Sequence, residues 1–432
     1  MLSHRLRRLL AVAVLALAVP AVAQANSVTD WNKTAIDTLV AFPAPAGSAA
    51  QALQLDMAMT QGAVYDAVNA IEPRHRPYLL GTPFVSTASK DAATATAAYR
   101  VLSNIVTTVP ATIAFPNRAA LLTSLGAAYA ASLATVPDGA SKDAGIAAGS
   151  AAADAMIAAR ANDGRFGPSP WVSNTSLGHW QPLLNPDGSL QLDPAPWVAN
   201  VKPFLLHSPS QFRSDGPNAL GSRAYARDVN ETEALGSVTS SVRTAEQTHN
   251  AIFWQTAGGP AWLWNGAARG LVGARGLDLG DSALLFAELN LASADASINV
   301  WNDKYHFDAW RPWQAIHGAD LDGNSRTTAD ATWSALITAP YPEHPSGHVG
   351  LDSAALEALR IFFGTKKLTL DVTSSRFPGE TRTFTNVREP LREVVEARIW
   401  AGLHFRTADV QSKKLGRHVA RYMAKHYFQP LR

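Results

Sequence analysis

The sequence predicts an all-α protein. Three observations carry that reading: long alanine-rich stretches with few helix breakers, one apolar run at strict helical spacing, and only two short segments with strand character. Gln51 to Ile71 and Asp143 to Ala159 are the clearest alanine-rich helices, and their small residues suit close helix packing. Helix is expected again over Tyr225 to Asn250, then a glycine- and tryptophan-bearing loop around Gly258 to Asn265. The best-defined helix follows. Leu284, Ala287, Leu291, Ala294, Ile298 and Trp301 recur at spacings of 3, 4, 3, 4 and 3, the seam of a helix packed in a bundle. Asp278 is placed to cap it, with Asp281 three residues on. Leu368 to Val372 and Thr381 to Val387 read as a small hairpin.

Between Pro168 and Pro217 the texture changes. Nine of the 26 prolines fall there, together with Trp171, Trp180 and Trp197. Prolines at that density cannot sit inside helices, and the tryptophans argue for an ordered wrapping segment rather than a slack linker. The expected organisation is therefore two helical bundles, residues 26–165 and 218–432, joined by a Pro/Trp-rich segment at 166–217.

Residues 1–25 read as a secretory signal. Arg5, Arg7 and Arg8 precede an apolar run from Leu9 to Val19, and Ala23-Gln24-Ala25 fits a small-residue cleavage site. The expected location is secreted or periplasmic. Without those three arginines, 34 basic residues face 35 acidic ones, so no overall field points to nucleic acid or, after cleavage, to a membrane. Cysteine is absent, which excludes disulfides, a thiolate nucleophile and Cys-ligated zinc. No Gly-rich phosphate loop and no HExxH motif occurs. Any charged site must be assembled locally.

Three C-terminal segments concentrate such charge. In Trp301-Asn-Asp-Lys304-Tyr-His306-Phe-Asp-Ala-Trp310-Arg311-Pro312, two cations seven residues apart continue the apolar seam. On one helix they would share a face roughly 10 Å apart, although Pro312 disfavours helix at Arg311. Taken alone they could equally cap a helix C-terminus. In Pro342-Glu343-His344-Pro345-Ser346-Gly347-His348, Ser346 is a candidate N-cap, and the Gly347 and His348 N–H groups with the Ser346 hydroxyl could meet an anion. In that first turn the helix dipole is expected to lower the pKa of His348 and leave it neutral. A plain helix-starting turn is the alternative. In Arg398-Ile-Trp-Ala-Gly402-Leu-His404-Phe-Arg406-Thr-Ala-Asp409, on a helix opened by Pro390, Gly402 permits a bend between Arg398 and His404. Asp409 is expected to hold one ring nitrogen of His404; an exposed amphipathic terminal helix is the alternative.

Together, and in this order, the segments resemble the signature shared by vanadium-dependent haloperoxidases and the type 2 phosphatidic acid phosphatase superfamily, most surely over residues 280–415. Arg243-Thr-Ala-Glu246-Gln247, Phe253-Trp254 and the two-bundle length look more like the haloperoxidase branch. The resemblance implies an oxyanion site of Lys304, Arg311, Ser346, Gly347, His348 and Arg398, with His404 as axial vanadium ligand and His348 as proton-transfer group. Vanadate is the implied cofactor, and hydrogen peroxide, halide and an organic acceptor the implied substrates. The same residues would suit a phosphatase working through phosphohistidine at His404, or a non-catalytic anion-binding module. Trp301, Tyr341, His344 and Asp409 are further candidates near the site, His344 being by default an exposed loop residue. Two departures from the family pattern stand out: Ala397 replaces the usual serine, and Asp409 lies five residues after His404 instead of four. Asp320-Leu-Asp322-Gly323-Asn324 partly mimics a calcium loop but reads better as an Asx-rich turn. The halide and the oligomeric state are left open.

Overall fold

The computed structural model describes residues 26–431, so the expected export signal lies outside them. Among the described residues there are thirteen α-helices and one two-stranded sheet, and the protein is all-α. Helices α1 (Ser27–Val40), α2 (Ala50–Ile71), α3 (Lys90–Thr108), α4 (Arg118–Ala134) and α5 (Ala140–Arg160) form the first bundle. The Asn26 side chain caps α1 by accepting from the Val28 and Thr29 N–H groups. Small residues then let helices approach closely. A methyl group added at Gly145 or Gly149 of α5 would lie 2.3 or 2.4 Å from the Ser89 or Ala93 carbonyl oxygen, so glycine is needed there against α3.

The predicted seam lies in α9 (Leu279–Phe307), capped by Asp278 accepting from the Asp281 N–H as expected. Its 29 residues span about 43 Å. The structure buries nearly its whole circumference, because α2 packs along one side and the second bundle along the other. That bundle comprises α8 (Gly259–Arg275), α11 (Gly347–Phe362), α12 (Arg388–Trp400) and α13 (Arg406–His426), with α6 (Arg223–Gly236), α7 (Ala245–Phe253) and the short α10 (Pro312–His317) at its edge. One apolar cluster runs from Val28 to Phe428 through both bundles. Strands β1 (Leu370–Thr373) and β2 (Thr381–Phe384) pair antiparallel, Leu370 opposite Phe384, where the hairpin was expected.

Two expectations need correction. The helix predicted over Tyr225 to Asn250 is two helices, α6 and α7. The Arg243 guanidinium donates to the Leu235, Ser237 and Trp400 carbonyls and stabilises the intervening turn, and a Thr244–Gln247 capping box opens α7. The loop expected at Gly258 to Asn265 is the start of α8. Pro260 falls in its first turn, where the missing N–H has no helical partner to lose.

The Pro/Trp-rich segment is ordered by polar anchors. The buried Asp295 of α9 accepts from the Phe204, Leu205 and Leu206 N–H groups at 2.6, 2.7 and 2.7 Å. Asp193 accepts from Gln51 Nε2, Trp301 Nε1 and the Tyr305 hydroxyl, tying the segment to both α2 and α9. The calcium-like stretch is an Asx turn, with the Asn324 N–H donating to Asp322 Oδ1. No described helix is long and apolar enough to cross a membrane.

Two stability predictions follow from α9. Asp295→Ala strands three buried N–H groups and should lower the unfolding free energy by about 3 kcal/mol or more, as read from denaturant curves. Glu288 is buried without an ion-pair partner, and burial pushes its carboxyl up to about 8. The unfolded chain loses this proton from about 4.5 upward while the folded chain keeps it, so stability falls as pH rises from about 4.5 to 8. Glu288→Gln should therefore match the parent near pH 4 and exceed it increasingly toward pH 8 in the same measurement.

Candidate active site

The three charged segments meet at the ends of α9, α11 and α12. Helix α9 stops at Phe307 because Asp308 adopts a left-handed conformation (φ 48°), which aspartate tolerates better than most residues. Its carboxylate is held by His179 Nδ1 at 3.1 Å. Lys304 thus lies in the last turn of α9, while Arg311 stands beyond the break as the N-cap residue of α10. Both are fully buried and reach the 341–345 loop from different directions. Lys304 Nζ donates to the Pro342, Glu343 and Pro345 carbonyls at 3.0, 2.9 and 2.5 Å. Arg311 Nε donates to the Tyr341 carbonyl at 2.7 Å and Nη1 to the Leu403 carbonyl at 2.8 Å. The Tyr341 ring centre lies 5.3 Å from Lys304 Nζ and 5.0 Å from Arg311 Cζ, within cation–π range.

The loop delivers Ser346 to the N-cap of α11, followed by Gly347 and His348 in its first turn. The Ser346 side chain makes no capping bond, and its Oγ is buried without a partner. Gly347 is required by Trp301: an added methyl would lie 2.7 Å from that indole and 3.6 Å from Lys304 Cε. Helix α12 ends at Trp400, and Gly402 (φ 72°) turns the chain so that His404 points back toward Arg398. A side chain at 402 would strike the Gly236 carbonyl at 2.6 Å. Gly347, His348, Arg398, His404, Trp301 and Tyr341 line a cavity of about 250 Å³, closed on its other side by Trp254 and the start of α8. Lys304, Arg311 and Ser346 stand behind that lining, at 0, 2 and 0% exposure.

The electrostatics follow from burial. The imidazoles of His404 and His348 are both held well below their ordinary pKa, first by desolvation, then by Arg311, Lys304 and Arg398 for His404 and by Arg398 for His348. Both are neutral at pH 7. His404 Nδ1 lies 2.8 Å from Glu343 Oε1, which also accepts from the Phe405 N–H at 3.1 Å, so the ring donates through Nδ1 and keeps Nε2 as a lone-pair donor. Burial and the neighbouring Arg311 and Arg398 push the Lys304 amine well down. Its three carbonyl acceptors nevertheless need three N–H bonds, which only the ammonium has. The nearby carboxyls offset the positive charge only in part: burial raises Glu343 to about 7, so that it is partly ionised at neutral pH, Asp352 to about 8, and Asp409 well above its usual range.

What remains unpaired defines what the cavity can hold. Arg311 Nη2, Arg398 Nε and Nη1, Ser346 Oγ and His348 Nε2 are all buried with no hydrogen-bond partner among the described residues. Folded proteins satisfy nearly all such groups. Donors of this kind, beside a free imidazole nitrogen and a helix N-terminus, fit a tetrahedral or trigonal-bipyramidal oxyanion.

Three expectations change here. Glu343, not Asp409, orients His404: the start of α13 directs Asp409 toward Ser346 and Arg398, while the 341–345 loop brings Glu343 to Nδ1. His344 is buried, not exposed. Its Nε2 lies 3.1 Å from Ser214 Oγ and its ring stands edge-on to Phe307, facing a separate cavity. The pKa of His348 falls chiefly through burial and Arg398, the helix dipole having been the expected cause. Sequence reasoning also passed over Asp352, whose Oδ2 lies 3.6 Å from His348 Nε2 and whose Oδ1 accepts from Trp264 Nε1 at 2.6 Å. Its place four residues after His348, on one helix face, was the available signal.

Fold and site together define a helical protein with a buried, cation-rich cavity. Residues 284–432 match the family model described as the VCPO second helical-bundle domain. Vanadium chloroperoxidase of Curvularia inaequalis is 24% identical over 197 residues, covering 39% of this chain and 32% of that protein, so the match spans about a third of the relative's length. Among solved structures, a bacterial vanadium-dependent iodoperoxidase superposes with a TM-score of 0.74 at 21% identity, covering 93% of this chain and 97% of the other. A holo-type bacterial vanadium-dependent chloroperoxidase gives 0.67 at 19% identity, covering 90 and 93%. Residues 284–432 thus resemble the second helical bundle of vanadium chloroperoxidase, and nearly the whole chain shares the fold of the vanadium-dependent haloperoxidases.

Glu343→Gln tests the orienting bond. It keeps an acceptor for Nδ1–H but removes the charge, and should weaken phosphate or vanadate binding about 10- to 100-fold in equilibrium dialysis. Unchanged affinity would mean that His404 needs no anionic support.

Proposed function

We propose that this chain is an exported vanadate-dependent haloperoxidase, using hydrogen peroxide to oxidise halide to hypohalous acid. The observation that carries the reading is the set of five buried, unpartnered polar atoms from Arg311, Arg398, Ser346 and His348 around the free Nε2 of His404.

Vanadate held here would act as a Lewis acid toward peroxide. The chain's own residues have defined tasks. His404 Nε2 would offer its lone pair to the vanadium, and Glu343 fixes the tautomer that makes it available. Arg311 Nη2, Arg398 and the Ser346 hydroxyl, with the first N–H groups of α11, would hold and neutralise the oxygens of the anion. Lys304 spends its three protons on loop carbonyls and acts through its field and by holding Gly347 and His348 in place. His348, neutral at rest, would take a proton from incoming peroxide and return it to the departing oxygen. Formation of hypohalous acid from peroxide and halide consumes one further proton overall, which solvent would supply. Trp301, Tyr341 and Trp254 supply the aromatic part of the wall.

The test is halogenation of monochlorodimedone by purified protein with orthovanadate and peroxide, run separately with chloride, bromide and iodide. Turnover is expected with at least one halide, and His404→Ala should reduce it 100-fold or more while leaving the circular dichroism spectrum intact. Cleavage of p-nitrophenyl phosphate without halogenation at any halide would establish the phosphatase alternative. Binding of vanadate with neither activity would leave an anion-binding module.

A further inference from the structure

A second charged cavity lies farther along α11, away from His404. It is bounded by the far part of α11, the turn after it, the start of α12 and the middle of α13, and has a volume of about 400 Å³. Arg360, Lys366, Arg388, Arg417 and Arg421 all face it, against one carboxylate, Glu357. That carboxylate is already engaged twice, by Arg360 Nε at 2.9 Å and by Arg421 Nε at 2.8 Å. Among the described residues no carboxylate forms an ion pair with Lys366, Arg388 or Arg417. The formal surplus is four positive charges in one concavity of a protein whose whole sequence carries only +2.

Like charges so arranged oppose one another. The Arg417 guanidinium is held below its ordinary range by burial and then by Arg421, Arg388 and Arg360, with only Glu357 pulling the other way. At the same place α12 begins, a 13-residue helix whose dipole adds further positive potential. Glu357 is the one carboxylate facing the cavity, and it offsets only one of the five charges. Guanidinium groups from three helices present forked donors that match phosphoryl oxygens. A single phosphate, at most doubly charged near neutral pH, would leave half the surplus in place and much of the volume unfilled.

We propose that this cavity binds a small multivalent oxyanion, a compound carrying two or more linked phosphoryl groups, independently of the His404 site. Lys366 and Arg388, both exposed, form the entrance, and Arg417 the interior contact. Occupancy stabilises the junction of α11, α12 and α13 by binding only the folded chain.

The probe is inorganic tripolyphosphate, titrated calorimetrically into the full-length protein at low salt. Saturable one-to-one binding is expected, accompanied by a rise in melting temperature. Arg398→Ala should retain the binding, which separates it from the His404 site. Lys366→Ala, Arg388→Ala and Arg417→Gln should each weaken it about tenfold or more, and the two exposed substitutions leave packed side chains untouched. Orthophosphate should bind to the Arg398→Ala protein at least tenfold more weakly than tripolyphosphate. Absence of saturable binding overturns the proposal. So does binding abolished by Arg398→Ala but indifferent to the three pocket substitutions, or orthophosphate binding as tightly as tripolyphosphate.

Discussion

Three cations buried around one small cavity, with no full set of counter-charges, are the constraint on which the rest of this structure depends. Lys304, Arg311 and Arg398 have nearly no solvent contact. Taking such groups out of water is expensive unless hydrogen bonds and opposite charge compensate. Backbone carbonyls compensate Lys304 fully and Arg311 in part, whereas Arg398 keeps Nε and Nη1 unpaired. The residual deficit is what an oxyanion would supply on the proposed function.

The 341–348 segment is where these demands converge. Its carbonyls receive Lys304 and Arg311, its Glu343 side chain receives His404 and the Phe405 N–H, and its end becomes the N-terminus of α11. One short loop therefore couples all three charged segments. Displacing any of its anchors would shift the others, so the lysine and the glutamate matter to the geometry even though neither need touch the anion. The close contact between Gly347 and Trp301 extends the coupling to α9, and through Trp301 Nε1 and Asp193 to the Pro/Trp-rich segment.

Helix α9 explains how the two bundles serve one site. Its middle is packed on every side, and its last two turns carry Trp301 into the cavity wall and Lys304 just behind it. Rigidity gained along about 43 Å of buried helix is thereby passed to the groups that hold the anion.

Periodicity and composition were enough to determine the helical class, the limits of α2 and the cap of α9, because helix spacing and N-capping are local properties of the chain. The charged residue types and their order along the chain were equally legible, since each segment carries its own signals. What only the tertiary structure decided was partnership. Whether Glu343 or Asp409 meets His404 depends on how α13 leaves Phe405 relative to a loop some sixty residues earlier. Whether Lys304 reaches an anion or a row of carbonyls depends on where that loop closes. The break between α6 and α7 likewise depends on carbonyls of the turn itself and of Trp400, all gathered by Arg243. Contacts between residues distant in sequence have no period to read, and their energies are fixed by packing that forms only when the whole chain folds.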